Sequence, residues 1–186
     1  MARADRALID DGLVLLDHLG DARSLVDVGS GAGLPGIPIK IARPDLEVAL
    51  IEADQAKAAF LVHACAALGL ENIHVVARRA EDAGHDPALR EAFDVAVARA
   101  LAPLPVLVEL CLPLVRVGGR LLAQKTEAEK ADSAARAIQL LGGELSGVLS
   151  APSAARSAGT VVVIDKVRPT PSLYPRRPGV PARKPL

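Results

Sequence analysis

Residues 27–36 read Asp27-Val28-Gly29-Ser30-Gly31-Ala32-Gly33-Leu34-Pro35-Gly36, directly after the apolar run Ser24 to Val28. Glycines this dense let a backbone turn sharply and approach a ligand with no Cβ in the way. Asp27, at the head of the loop, is a carboxylate that suits a ligand with an ammonium group and would repel a pyrophosphate. Glu52 ends the next apolar run, and its two acceptor oxygens can take both hydroxyls of a ribose. Glu81, Arg99 and Lys125 stand beyond three later apolar runs. No Ser-His-Asp or Cys-His constellation is legible. His18, His63, His74 and His85 lack metal-ligand spacing, so no metal is expected.

These residues need a scaffold that brings the ends of several strands together. Short β-rich runs at Ser24–Val28, Leu46–Ile51, Ile73–Val76, Phe93–Ala98 and Arg120–Gln124 alternate with helical stretches. The helical stretches are Leu8–Leu19, Ile37–Ala42, Gln55–Leu68, Leu104–Val115 and Glu127–Leu141, with Asp54 as the cap of the third. Glu81–Glu91 reads as a loop or broken helix, and Gly118-Gly119 as a turn. Such alternation implies parallel strands joined by right-handed crossovers. Strands near Leu145–Leu149 and Thr160–Asp165 have no full helix between them, which predicts a hairpin and one antiparallel strand at the sheet edge. The expected fold is α/β: a doubly wound, mostly parallel sheet with its ligand at the carboxyl ends of the strands.

The loop has two registers. Gly31-x-Gly33-x-x-Gly36, with Glu52 about 20 residues on, matches the dinucleotide fingerprint. Asp27-x-Gly29-x-Gly31-x-Gly33 resembles the first motif of class I methyltransferases. The second starts at the strand tip, places Asp27 where an ammonium is met, and puts Glu81 where methyltransferases hold adenine. It therefore implies a single Rossmann-like domain binding S-adenosylmethionine.

Composition narrows the function classes. The chain has 186 residues, 51% of them hydrophobic, enough for one domain with its own core. Formal net charge is zero, but Lys166, Arg168, Arg176, Arg177, Arg183 and Lys184 follow Asp165 without an intervening acid, a basic proline-rich tail suited to a phosphate backbone. Cys65 and Cys111 lie in apolar stretches and read as buried thiols. The charged N-terminus is no signal peptide and no apolar run is long enough to span a bilayer, so a cytoplasmic location is expected, without a membrane partner.

From about Leu25 to Lys125 the chain resembles the small-subunit ribosomal RNA guanine-N7 methyltransferase family, also called glucose-inhibited division protein B. The resemblance rests on Asp27 through Gly36-Ile37-Pro38, Phe60-Leu61, Arg79-Ala80-Glu81, Arg99-Ala100 with Ala102-Pro103-Leu104, Gly118-Gly119-Arg120 through Lys125, and the Tyr174-Pro175-Arg176-Arg177-Pro178-Gly179 tail. It implies that Gly29 and Leu34 line the cofactor site, Ala80 and Glu81 flank the adenine, and Arg99 reaches the site from strand four. Asp27, Gly31, Gly33 and Glu52 complete the expected cofactor set, with Arg99 and Lys125 as positioning candidates. A cation beside N7 opposes the charge forming there, so Arg99 suits the cofactor carboxylate or a positioning role. The implied partner is 16S ribosomal RNA or the small ribosomal subunit, met by a monomer. The chain departs from the family pattern in having no Asn-Leu-Thr motif before the first strand, and Lys125-Thr126 where Lys-Gly is usual. Only about 24 residues precede the first strand, which keeps open a methyltransferase for a small molecule or protein; a non-catalytic S-adenosylmethionine-binding module on the ribosome is a further alternative. A dehydrogenase is more distant. The division read from the sequence is residues 1–22 as a helical segment, 23–167 as the methyltransferase domain and 168–186 as the tail.

Overall fold

The computed structural model describes residues 3–126 and 129–186. A seven-stranded sheet runs in the order β3-β2-β1-β4-β5-β7-β6. Its strands are β1 (Ser24–Val28), β2 (Glu47–Ile51), β3 (Ile73–Val76), β4 (Phe93–Arg99), β5 (Val115–Thr126), β6 (Gly143–Ser150) and β7 (Gly159–Lys166). The first five pair in parallel, and β7 lies antiparallel between β5 and β6, so β6 forms that edge. Strand order reverses between β1 and β4, which is where open α/β sheets bind ligands.

The helices are α1 (Arg3–Leu13), α2 (Gly36–Ala42), α3 (Gln55–Ala67), α4 (Ala80–Ala83), α5 (Leu104–Cys111), α6 (Ala135–Leu140) and α7 (Val180–Arg183). Asp54 caps α3 by accepting from the Ala56 and Lys57 amides. Val, Ile and Leu alternate through the sheet to both faces, giving two apolar layers. Cys111 is buried in one layer and Cys65 in the other, both as free thiols. No helix among the described residues is long and apolar enough to cross a membrane.

Several sequence boundaries shift for steric reasons. The stretch Leu8–Leu19 is not one helix: α1 stops at Leu13, and a 3-10 turn covers Leu16–His18. Gly12 lies against Pro35, and the break turns Leu15 and Leu19 into the core. Gly118 and Gly119 lie inside β5 rather than in a turn. A register shift brings Gly119 so close to β4 that a Cβ would stand 2.4 Å from the Asp94 carbonyl. The stretch Leu104–Val115 is α-helical to Cys111 and tightens to a 3-10 turn over Leu112–Leu114, and Val115 already pairs with Phe93. Residues 127 and 128, the start of the expected Glu127–Leu141 helix, lie outside the described residues. The segment that follows holds a 3-10 turn at Ala131–Ala134 and then α6, because Lys130 is extended.

Candidate active site

Two cavities open at the carboxyl ends of the strands, sharing the ridge Arg99-Ala100-Leu101-Ala102. The loop-side cavity, about 390 Å³, runs from Gly29 and Gly31 past Glu52 to Arg78-Arg79-Ala80-Glu81. Ile51, Val106 and Leu110 give it apolar walls. That size and lining suit a cofactor-sized ligand. The ridge-side cavity, about 660 Å³, is lined by Leu8, Asp11, Gln124, Lys125, Glu129 and Arg156 among others.

The glycine loop is shaped by its backbone. Gly29, Gly31 and Gly33 have φ of +75°, +56° and +88°, a region that costs an L-residue about 1–2 kcal/mol. A Cβ on Gly29 would stand 2.4 Å from Leu101 Cδ1, so the ridge leans directly on the loop. Glu52 is 8% exposed and ties the loop to its own strand tip: Oε2 accepts from the Gly31 amide at 2.9 Å and Oε1 from the Asp54 amide at 2.8 Å. Each oxygen keeps a lone pair, so the carboxylate can still accept two hydroxyls across the cavity.

Asp27 is placed differently from the sequence expectation. It lies beneath the loop at 1% exposure and is absent from both cavity walls. Its Oδ2 accepts from the Gly36 amide at 2.9 Å, pinning the start of α2 to the tip of β1. Its Oδ1 is buried with no partner among the described residues. Burial pushes the carboxyl up to about 7, against the lowering effect of the Gly36 and Ser30 hydrogen bonds and of Arg99. Gly33 and Leu34 also stand outside the cavity walls. Gly33 turns the chain into α2, where a Cβ would meet Ile37 Cδ1 at 2.5 Å.

Arg99 lines both cavities, and its partner is an acid that sequence reasoning did not single out. Its Nη1 lies 3.2 Å from Asp11 Oδ2 and donates to the Leu8 carbonyl at 3.0 Å. Asp11 Oδ1 accepts from Arg156 Nε at 3.0 Å and from the Ser153 hydroxyl. Asp11 lies three residues after Leu8 and four before Leu15, an acid on the apolar stripe of a helix, and that misfit was the available signal. Lys125 braces the ridge: Nζ donates to the Ala102 carbonyl and pairs with Glu129 Oε2 at 2.8 Å. Glu129 Oε1 in turn accepts from the Leu104 amide. The ridge therefore holds Ala100 at φ +51°, a conformation that costs about 1–3 kcal/mol and gathers at ligand clamps.

Ala80 and Glu81 line the loop-side cavity, as does the C-terminal segment through Pro181 and Ala182. Glu81 is 5% exposed, and its Oε1 accepts from the Gly179 amide at 2.9 Å. The tail, which has no core pattern in sequence, is docked on the domain. Arg176 binds the buried carboxylate of Glu109 through its own amide, Nε and Nη2. Arg90 donates to the Tyr174 and Thr170 carbonyls, both at 2.8 Å. Among the described residues no group of three or more His, Cys, Asp or Glu side chains is placed to hold a metal ion.

Known proteins with this fold include a S-adenosylmethionine-dependent methyltransferase from Aquifex aeolicus (TM-score 0.66, 17% identity, covering 89% of this chain and 94% of that one). Another is the mitomycin 7-O-methyltransferase (TM-score 0.69, 16% identity, 87% of this chain and 54% of that one). At that identity they speak for the fold alone. Sequence relatives are much nearer. Ribosomal RNA small subunit methyltransferase G of Moorella thermoacetica is 45% identical over 177 residues, 94% of this chain and 74% of the relative. Its counterpart in Roseiflexus sp. is 51% identical over 171 residues, 90% and 73% of the two chains. The family model described as "GidB: rRNA small subunit methyltransferase G" matches residues 4–157, so the chain belongs to that family.

Proposed function

We propose that the chain methylates N7 of a guanosine in 16S ribosomal RNA, with S-adenosylmethionine held in the loop-side cavity and the guanine entering the ridge-side cavity. The observation that carries this reading is the shared ridge: a cavity at the switch point of the sheet and a second one beside it, both lined by Arg99 to Ala102. The residues fit the cofactor. Gly29 offers a backbone that a side chain would block, and Glu52 keeps acceptor capacity for the ribose. Bound there, S-adenosylmethionine supplies an electrophilic methyl group for in-line displacement.

The acceptor nitrogen has a free lone pair at neutral pH, so the chain needs no general base. Its task is alignment and exclusion of water. Asp11 draws off the Arg99 charge, which leaves less positive field opposing the cation that forms at N7. Lys125 and Glu129 fix the ridge that separates donor from acceptor. Exposed Arg177, Arg183 and Lys184 lie on the tail that reaches the loop-side cavity and give RNA phosphates a landing surface. Each cavity has walls from several elements of a single fold, which supports action as a monomer, and a ribosomal RNA substrate supports a cytoplasmic location.

Incubating the protein with methyl-labelled cofactor and small subunits lacking the modification tests this reading. Label is expected at guanine N7. Folded protein that binds S-adenosylhomocysteine yet leaves both subunits and free RNA unlabelled would refute RNA methylation.

A further inference from the structure

We propose that the C-terminal tail is a working part of the cofactor site: Glu81 clips its backbone at Gly179, so that Pro181 and Ala182 complete the cavity wall and tail and cofactor order each other. This rests on the reading that the loop-side cavity takes S-adenosylmethionine.

The tail has two zones of attachment. Up to Arg176 it is held by buried and multiple contacts: Glu109, which is 0% exposed, takes Arg176, Arg90 holds two carbonyls, and His85 Nε2 lies 2.6 Å from the Pro175 carbonyl oxygen. Past Arg176 the chain is held mainly by apolar packing, with Pro181 buried, α7 against α5 and Leu186 against the core, and its hydrogen bonds are few. The Gly179 amide donates to Glu81 Oε1, and Arg176 Nη2 donates back to the Lys184 carbonyl at 2.8 Å. Gly179 has φ +80°, so the clip is shaped around a glycine. Glu81 therefore does more than flank a base: one of its oxygens is already committed to the tail. The same acid stands in the cavity wall with Ala80, and Pro181 and Ala182 face that cavity from about 100 residues further along the chain. A ligand that filled this cavity would touch both segments. Binding to the closed form alone must then hold the tail shut, and a closed tail must strengthen binding by the same factor.

Trypsin reads the tail directly. Because a following proline blocks cleavage, the cleavable bonds within the tail are Arg176–Arg177 and Arg183–Lys184. With S-adenosylhomocysteine at about 100 times its calorimetric Kd, cleavage at Arg183–Lys184 is expected to slow up to ~100-fold, the limit for a ligand that binds only the closed form. Glu81→Ala should speed this cleavage before any ligand is added and should weaken binding. Glu81→Gln, which keeps an acceptor oxygen, should restore both. A residue that touched only the ligand would leave the ligand-free cleavage rate unchanged. Ala182→Trp, at an exposed position, should raise the Kd at least tenfold with the melting temperature unchanged.

The proposal is overturned if wild-type protein shown to bind S-adenosylhomocysteine is cut at one rate with and without it, or if Ala182→Trp binds as the wild type does. Folded wild type that gives no binding heat at all refutes the cofactor reading itself, and this proposal falls with it.

Discussion

Asp27 is 1% exposed, and its desolvation outweighs the Gly36 and Ser30 hydrogen bonds, so its pKa rises to about 7. In the unfolded chain an aspartate titrates near ~3.9. Between those values the folded protein keeps a proton that the unfolded chain has lost. This group's contribution to stability is thus fully present below about pH 4, falls as pH rises to about 7, and is lost above, by about 4 kcal/mol in all. Asp27→Asn should flatten that slope. Urea midpoints from pH 5 to 8, wild type against variant, measure it, and parallel curves would contradict it. Gly29 makes a second prediction at this scale. Its φ of +75° and the nearby Leu101 mean that Gly29→Ala costs about 1–2 kcal/mol of stability and displaces the ridge into the cavity. Calorimetry should show at least tenfold weaker binding of S-adenosylhomocysteine.

Lys166, the last residue of β7, shows how elements are fastened behind the site. Its side chain is 0% exposed, and Nζ donates to the Leu112 and Val115 carbonyls and the Thr170 hydroxyl, and pairs with Glu91 at 3.0 Å. One ammonium thus joins the antiparallel strand, the end of α5, the start of β5 and the root of the tail. Lys166→Ala leaves buried carbonyls unpaired and removes the partner of Glu91, and should destabilise by about 3 kcal/mol. Chemical denaturation gives the value. If the tail root depends on this anchor, tryptic cleavage at Arg176–Arg177 should also quicken in native conditions.

Across the whole molecule the formal charge is zero, so attraction to RNA must come from local placement. The tail supplies that placement unevenly. Lys166 is buried and Arg176 is spent on Glu109, whereas Arg168, Arg177, Arg183 and Lys184 remain exposed. Arg177→Ala and Arg183→Ala are each expected to weaken RNA binding and to reduce the salt slope of log K by about 1. Filter binding across a salt series tests this, and an unchanged slope would remove these residues from the RNA surface. A reduced slope for Arg183→Ala would place RNA docking on the segment that also walls the loop-side cavity.

Much of this was written in local pattern. The glycines between β1 and α2, the strand-ending Glu52, the cap at Asp54 and the late hairpin follow from conformational freedom, hydrogen-bond capacity and apolar periodicity, which act over a few residues. Tertiary packing decided the rest. It buried Asp27 beneath the loop, paired Arg99 with Asp11 88 residues away, and folded a tail without a core pattern onto Glu109 and Glu81. No short window holds both partners of such a pair. Desolvation and charge pairing depend on which surfaces the closed sheet brings together, and the chain settles that only when it folds.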